Sequence, residues 1–210
     1  MAYDLEEQES LAQLKAWWDK WGNLVLTLIT VICLAFAGWN WYKRNQGAKA
    51  TVAYVQLQNA FVQNDAKNVR SLSDGLMKEY SGHVFAALAA LMKADVEHKA
   101  GDLDAARSAL EWVIAQSGRP EYATVARVRL AGVELDAKAP EKAKAALDGI
   151  DASQAGQAVV LDRRGDVLLA LGDTEGAREA WNKAIEADAA SGELVALLSL
   201  KIQALPEKKS

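Results

Sequence analysis

The longest apolar pattern in the chain lies near its N-terminus. From Trp21 to Tyr42 the sequence contains no Asp, Glu, Lys or Arg. As a helix rising about 1.5 Å per residue, this segment would reach about 33 Å, enough to cross a hydrocarbon core of about 30 Å. Aromatic residues, which favour the headgroup level of a bilayer, stand at both of its ends. They are Trp17, Trp18, Trp21, Trp39, Trp41 and Tyr42.

We therefore predict a single membrane-spanning helix at 22–43, preceded by a segment at 1–21 and followed by one domain at 44–210. A cleavable signal peptide is the alternative, because the Ala-Phe-Ala sequence at 35–37 matches the small-residue pattern of signal-peptidase sites. A signal peptide begins with a short basic segment, whereas the acidic side chains before Trp21 outnumber the lysines. This long acidic start and the aromatic residues after the span favour a retained anchor.

The domain after the span has a second pattern, in which short amphipathic segments alternate with Gly-Asp, Pro and Ser-Gly breaks. The segments are rich in Ala, Leu, Glu, Asp and Lys, and the domain holds all three prolines of the chain. This composition favours α-helix, and the breaks are those that begin and end helices. We therefore expect an all-α domain. The predicted helices cover 50–63, 66–80, 83–99, 103–116, 121–137, 141–149, 155–171, 174–187 and 192–205.

These helices form pairs in which equivalent positions recur at a nearly constant spacing. A small residue recurs in the first helix of a pair, another recurs in the second helix, and a bulky residue follows. The residues are Ala94, Ala131 and Gly165; Ala106, Ala143 and Ala177; and Leu110, Leu147 and Trp181. Small residues let the two helices approach closely, and the bulky residue fills the space beside them. A pair cannot bury its apolar face alone, so successive pairs should stack.

This pattern resembles the tetratricopeptide repeat, whose period is about 34 residues. The best match runs from Val159 to Ala189. Weaker matches lie at 87–120 and 124–154, a degenerate pair lies at 50–82, and a capping helix lies at 192–205. Two matches are weakened because Glu97 and Glu134 occupy a position that is usually apolar or aromatic. The resemblance implies a tetratricopeptide-like α-solenoid after the membrane span.

In tetratricopeptide folds the first helix of each pair lines a concave groove, which implies a protein-binding surface here. The pattern positions that would face it are Leu88, Leu91, Asp95, His98, Val125, Val128, Leu135, Val159, Asp162, Asp166 and Leu169. They mix apolar and acidic groups, and they lack the Lys and Asn set that clamps a C-terminal carboxylate in cytosolic co-chaperone repeats. Such a surface suits an amphipathic or extended client segment rather than an acidic peptide. The alternative is that several of the apolar residues pack against neighbouring helices.

The order of these features resembles the YfgM family of Gram-negative bacteria over nearly the whole chain. An acidic N-terminal segment precedes a Trp-flanked span, a long helix, and degenerate repeats with Gly-Asp turns at 101–102 and 172–173. The resemblance implies an inner-membrane protein with a cytoplasmic N-terminus and a periplasmic repeat domain. It also implies association with the SecYEG translocon, with the membrane-anchored periplasmic chaperone PpiD and with emerging secretory polypeptides.

The basic residues that flank the span favour the opposite orientation. Lys43 is the last residue of the span, Arg44 and Lys49 follow it, and Lys15 and Lys20 precede it. Since basic residues concentrate on the cytoplasmic side of a membrane, this excess taken alone would place the repeats in the cytoplasm. The second hypothesis is thus a cytoplasm-facing, membrane-anchored adaptor that recruits a regulator. We give the family resemblance more weight, because the difference is a single charge.

The sequence offers no pattern of a catalytic, cofactor or metal site. Its two histidines, His83 and His98, lie near opposite ends of one predicted helix, without the spacing of a zinc site. From residue 50 onward, 19 Lys and Arg stand against 23 Asp and Glu. A nucleic-acid partner would require a concentrated basic face, so we expect none. We predict a non-enzymatic protein without a cofactor.

The segment before the span has an apolar face of its own. Leu11, Leu14, Trp18 and Trp21 follow a helical period, with Trp17 beside them. Such a face suits either the membrane surface or contact with another membrane protein, and the sequence leaves both open.

Overall fold

The chain folds into α-helices joined by turns. The structure, a computed structural model, describes residues 2–187 and 191–206, and it leaves the side chains of 2–8, 10 and 42–44 undescribed. The helices are α1 (Ala2–Val62), α2 (Ala66–Glu79), α3 (Val84–Lys99), α4 (Leu103–Gln116), α5 (Pro120–Asp136), α6 (Pro140–Asp148), α7 (Ala158–Ala170), α8 (Thr174–Glu186) and α9 (Gly192–Gln203). Within the described residues no β-strand occurs, so the predicted all-α fold is confirmed.

The helices from α2 onward begin and end close to the predicted positions. Two differences have local causes. The separate helix expected at 50–63 is the last part of α1. The linking residues 43–49 lack proline, and most of them are good helix formers, so the helix continues through them. Helix α7 begins at Ala158 rather than at 155, because the residues just before it form turns that include Gly156.

Contacts divide the chain into two compact units, Met1–Lys49 and Ala50–Ser210. The first unit is helical, and its large apolar side chains are exposed throughout the predicted span, with Phe36 72% exposed. Thr27 and Thr30 donate their hydroxyl hydrogens to the carbonyls one turn earlier, at 2.7 and 2.8 Å. Among the described residues, α1 is the one helix that is long and apolar enough to cross a membrane.

The second unit is a stack of four helix pairs followed by α9. The first pair combines residues 50–62 of α1 with α2; the second is α3 with α4, the third α5 with α6 and the fourth α7 with α8. Each helix from α2 to α8 packs against the next one, and α5 also contacts both α3 and α7. This is the arrangement of a solenoid, in which each pair contacts its neighbours.

The same turn joins the two helices of every pair. Its first residue adopts a left-handed conformation, with φ between 55° and 86°. The next residue donates its N–H to the carbonyl five positions earlier at 2.8–2.9 Å, which closes a Schellman-type helix end. The left-handed residues are Asn64, Gly101, Lys138 and Gly172. Three of the four turns continue into an aspartate that caps the second helix, and the third pair has Ala139 followed by Pro140 instead.

The small and bulky residues that define the repeat are all buried, which confirms the predicted contacts within the pairs. The closest of these contacts is in the fourth pair. A Cβ added to Gly165 would lie 2.3 Å from Nε1 of Trp181, so glycine is needed at this point for the indole to fit. The indole N–H donates to the carbonyl of Asp162 at 3.1 Å and is therefore satisfied inside the core.

Two buried glutamates explain the weaker repeat matches. Arg70 of α2 donates to both carboxylate oxygens of Glu97 on α3 at 2.8–3.0 Å. Arg107 of α4 binds Glu134 on α5 in the same way. In both cases the arginine belongs to the helix pair that precedes the glutamate. A charged contact between neighbouring pairs thus replaces the apolar contact of the usual pattern.

Candidate protein-binding groove

The predicted groove residues lie on α3, α5 and α7, the first helices of three successive pairs. These helices contact one another in order, α3 with α5 and α5 with α7. A cavity of about 470 Å³ opens between them. It is lined by Ala94, Asp95, His98, Leu110, Arg129, Gly132, Val133, Leu135, Asp136, Arg163 and Asp166. Four of the predicted residues, namely Asp95, His98, Leu135 and Asp166, are therefore brought together in one site.

The other predicted apolar residues fall into two groups. Leu91 is buried in the core, Val128 packs against that core, and Leu88 is half-buried. Leu135 also packs against the core while lining the cavity, so helix packing involves several of the apolar positions. Three residues remain open to solvent: Val125 is 39% exposed, Val159 is 51% exposed and Leu169 is 41% exposed.

The acidic residues of the groove are paired with basic side chains of the same chain. Asp95 accepts a hydrogen bond from Lys99 at 2.7 Å, and Nε2 of His98 lies 2.6 Å from a carboxylate oxygen of Asp136. On the last helix, Lys201 donates to both Asp162 and Asp166 at 2.6 Å. The groove is therefore less acidic than its sequence positions indicated.

Burial and the contact of Lys201 with two carboxylates shift the pKa values of groups at this end of the groove. Burial raises the pKa of the Asp166 carboxyl, the hydrogen bond from Lys201 opposes this, and the negative charge of Asp162 raises the pKa again. For Lys201, burial lowers the pKa, but its hydrogen bonds to both carboxylates outweigh burial and raise the pKa overall. Helix α9 thus docks through a partly buried cation.

Two arginines of the cavity are absent from the sequence-based prediction. Arg129 lies on α5 and Arg163 on α7, and both line the cavity. The guanidinium of Arg163 lies against Gly132, where an added Cβ would be 3.4 Å from its Cζ atom, and it donates to Asp166 at 3.2 Å. The signal that could have found them is the repeat itself, since the two arginines occupy equivalent positions of successive repeats.

A second cavity, of about 230 Å³, adjoins the first one. It is lined by Phe61, Asn64, Ala66, Val69, Asp95, Val96, Lys99 and Ala100. Asp95 belongs to the lining of both cavities. Two cavities that share a lining residue suit an extended chain better than a compact small molecule.

The predicted membrane-interface residues lie on the first unit. The side chains of Trp17, Trp18, Trp21, Trp39 and Trp41 are 43–70% exposed, and the side chain of Tyr42 lies outside the described residues. Trp18 packs on Gly22, where an added Cβ would be 3.1 Å from the indole ring. Leu11 and Leu14 are each 60% exposed, so the apolar face before the span is open as well.

The groove presents charged and apolar side chains rather than a cluster of metal ligands. In the part of the chain that the structure describes, no group of three or more His, Cys, Asp or Glu side chains is placed to hold a metal ion. His83 caps α3 by accepting the N–H of Phe85 at 3.4 Å, and His98 is engaged with Asp136. What the cavity offers is a set of charged and apolar groups at fixed positions along three stacked helices.

Comparison with known proteins agrees with this architecture. A family described as the tetratricopeptide repeat-like domain matches residues 15–207. The chain belongs to this family. The match includes the apolar N-terminal segment as well as the helix pairs, so the solenoid predicted from the repeat spacing is confirmed.

Curated relatives of this tetratricopeptide-repeat-like chain are named ancillary SecYEG translocon subunit. The relative from Neisseria gonorrhoeae is 29% identical over 194 residues, which is 89% of this chain and 90% of the relative. The relative from Aggregatibacter actinomycetemcomitans is 28% identical over 188 residues, covering 89% and 92% of the two chains. The relative from Escherichia coli is 26% identical over 200 residues, covering 95% and 96%. The resemblance to the YfgM family is confirmed by these relatives.

Proposed function

We propose that this protein is a non-enzymatic, membrane-anchored scaffold that associates with the SecYEG translocon and binds polypeptide through its repeat domain. The observation that carries the proposal is the alignment with relatives named ancillary SecYEG translocon subunit. In the Escherichia coli relative it covers 95% of this chain, so it includes the apolar helix as well as the helix pairs. Similarity over both parts favours a shared role rather than a shared repeat.

The apolar helix would anchor the protein in the bacterial inner membrane. Its exposed apolar side chains need a covering, and its tryptophans are spaced to lie at the two membrane surfaces. In this arrangement residues 1–21 are cytoplasmic, 22–43 span the membrane and 44–210 are periplasmic. The groove would then meet emerging secretory polypeptides and a PpiD-like periplasmic chaperone.

A second candidate function follows from the charges beside the span. Because Lys43, Arg44 and Lys49 outnumber Lys15 and Lys20, the same anchor could hold the repeat domain in the cytoplasm. The protein would then be an adaptor that recruits a regulator to the membrane. The concave groove serves this role equally well, so orientation is the property that separates the two candidates.

Translocon association is tested by co-purification from membranes. The full chain, with a C-terminal affinity tag, is produced at low level in Escherichia coli cells that lack their own relative, and the membranes are dissolved in mild detergent. The matched control carries residues 1–49 fused to an unrelated folded domain, and the tagged Escherichia coli relative serves as the positive control.

We expect SecY to be recovered with the full chain at a level comparable to that of the positive control. If SecY is also recovered with the 1–49 fusion, the contact belongs to the anchor. If SecY is recovered with the full chain but not with the fusion, the contact belongs to the repeat domain. If SecY is recovered with the positive control and not with the full chain, the proposed function is wrong.

A further inference from the structure

Arg129 differs from the other charged groups of the cavity because it has no counter-ion among the described residues. Each of the carboxylates of Asp95, Asp136 and Asp166 lies 2.6–2.7 Å from a nitrogen of Lys99, His98 or Lys201, respectively. For the exposed guanidinium of Arg129, no carboxylate oxygen of the described residues lies within ion-pair distance. Its one hydrogen bond within that part of the chain is to the carbonyl of Leu91, at 3.4 Å.

A second guanidinium contributes to the same cavity. Arg163, at the equivalent position of the next repeat, holds Asp166 with one terminal nitrogen at 3.2 Å. Its Nε is buried and has no hydrogen-bond partner among the described residues. Because this nitrogen is buried, it is closed to a ligand in the cavity, and the role of Arg163 there is to hold Asp166. Beside these charged groups, the lining of the cavity includes the apolar side chains of Val133 and Leu135.

We propose that the cavity between α3, α5 and α7 is a subsite for an acidic side chain of an extended polypeptide, with Arg129 as the group that binds the carboxylate. A guanidinium binds a carboxylate through two parallel hydrogen bonds, which gives both charge neutralisation and direction. This inference rests on the proposed function, because it names the chemistry of the polypeptide that the groove receives. It also revises the expectation that the groove disfavours acidic segments.

We place the carboxylate on a side chain within the segment, because a second cavity lies beside the first. The two cavities share Asp95 in their linings, and the second one includes Phe61 and Val96. A chain that continues on both sides of the carboxylate would place a neighbouring apolar side chain in the second cavity. A chain that ends at Arg129 would reach it from one side only, and the free-carboxylate probe described below separates the two cases.

Peptide binding to the full chain in detergent tests the proposal. The probes are short, extended peptides of alternating Val and Thr, acetylated and amidated at their ends, with one central Glu or one central Gln. A third probe has the central Gln and a free C-terminal carboxylate. Affinities are measured by fluorescence anisotropy for the wild type, for Arg129→Gln and for the matched control Arg119→Gln. Arg119 is exposed, lies outside both cavities, and its substitution changes the net charge equally.

We expect the wild type and Arg119→Gln to bind the Glu peptide about threefold to fivefold more tightly than the Gln peptide, as for a partly exposed ion pair. Arg129→Gln should bind both peptides equally, and salt should reduce the preference of the wild type. Thermal unfolding of each variant verifies that the fold is kept.

The inference is overturned if the wild type does not distinguish the two peptides, if it binds neither, or if Arg129→Gln keeps the preference. Tighter binding of the free-carboxylate probe than of the Glu probe would also overturn it, since the site would then recognise a chain end. A Glu preference in a chain that fails to recover SecY would contradict the translocon proposal and leave the subsite standing.

Discussion

The third and fourth helix pairs fill the same space with different side chains. The third pair combines Ala131 with Leu147, and both are buried in one core cluster. The fourth pair has Gly165 and Trp181 at these positions, and the indole lies where a Cβ of residue 165 would be. The larger side chain on one helix is matched by the smaller one on the other. The two pairs therefore fill a similar volume between their helices, although the residues that fill it differ.

The position of Glu134 also differs between the two pairs. The third pair uses Glu134, which is 3% exposed and paired with Arg107. The fourth pair has Leu168 at the equivalent position, packed against the Trp181 cluster. The equivalent position thus holds a charged group that binds the preceding pair in one repeat, and an apolar group that packs within its own pair and against α9 in the next. Each choice depends on its partner residue, so changing one member alone should be costly and changing both should be tolerated.

The largest loss of stability is expected when the indole of Trp181 is removed. Trp181→Ala should lower the free energy of unfolding by about 4 kcal/mol, and Leu147→Ala in the third pair by about 3 kcal/mol, because both leave cavities in the core. Urea unfolding of the detergent-solubilised full chain measures both. A loss below about 1 kcal/mol for Trp181→Ala would mean that the indole is not part of the core.

The complementary change in volume tests whether glycine is required. Gly165→Ala should cost about 2 kcal/mol, because its Cβ would overlap the indole of Trp181. The double variant Gly165→Ala/Trp181→Leu recreates the Ala and Leu combination of the third pair. We expect it to be no less stable than Trp181→Leu alone. Additive losses in this double-mutant cycle would contradict volume matching.

The next largest loss of stability is expected when the ion pair between Arg107 and Glu134 is broken. Arg107→Leu should cost about 2 kcal/mol, because it leaves the Glu134 carboxylate buried without its partner. Arg107→Leu/Glu134→Leu, which imitates Leu168 of the fourth pair, should return to within about 1 kcal/mol of the wild type. Unfolding free energies measured under identical conditions decide this. A double variant as unstable as Arg107→Leu would show that the ion pair has no apolar substitute.

The smallest effect concerns the pairing of the fourth pair with α9. Since the pKa of Lys201 is raised above its ordinary value of 10.5, its contribution to stability is present below that pH and is lost as the pH rises through the raised value. At pH 8, Lys201→Met should cost about 1 kcal/mol relative to the wild type. This difference in stability should vanish at pH values above the raised pKa of Lys201. Lys183→Met, which removes an exposed pair with Glu179, is the control and should cost much less.

The helices and their pairing were predictable because they depend on local patterns. Turn residues such as Gly101 and Gly172 and small residues such as Ala94 and Ala131 act within one pair, so their spacing reveals them. The left-handed Lys138 has no such signature, yet its turn follows from the register of the repeat.

The charge distribution of the groove could not be predicted from the pattern. The pattern places Asp162 and Asp166 on the groove as acidic groups, but Lys201, which belongs to the last helix, donates hydrogen bonds to both and offsets part of their charge. The repeat pattern does not identify Arg129, because this residue lies beside a groove position of the pattern and not on it. Ion pairs join residues that are distant in sequence, and their partners are fixed by how α9 and the helix pairs pack.

The side of the membrane that holds the repeat domain decides between translocon scaffold and cytoplasmic adaptor. Protease is added to spheroplasts that contain the full chain with a C-terminal tag, and the tag is followed by immunoblotting beside a cytoplasmic marker. We expect the tag to be digested without detergent while the marker stays intact, which corresponds to a periplasmic repeat domain. A tag that is protected until the membrane is dissolved would contradict the periplasmic placement and leave the cytoplasmic adaptor as the function.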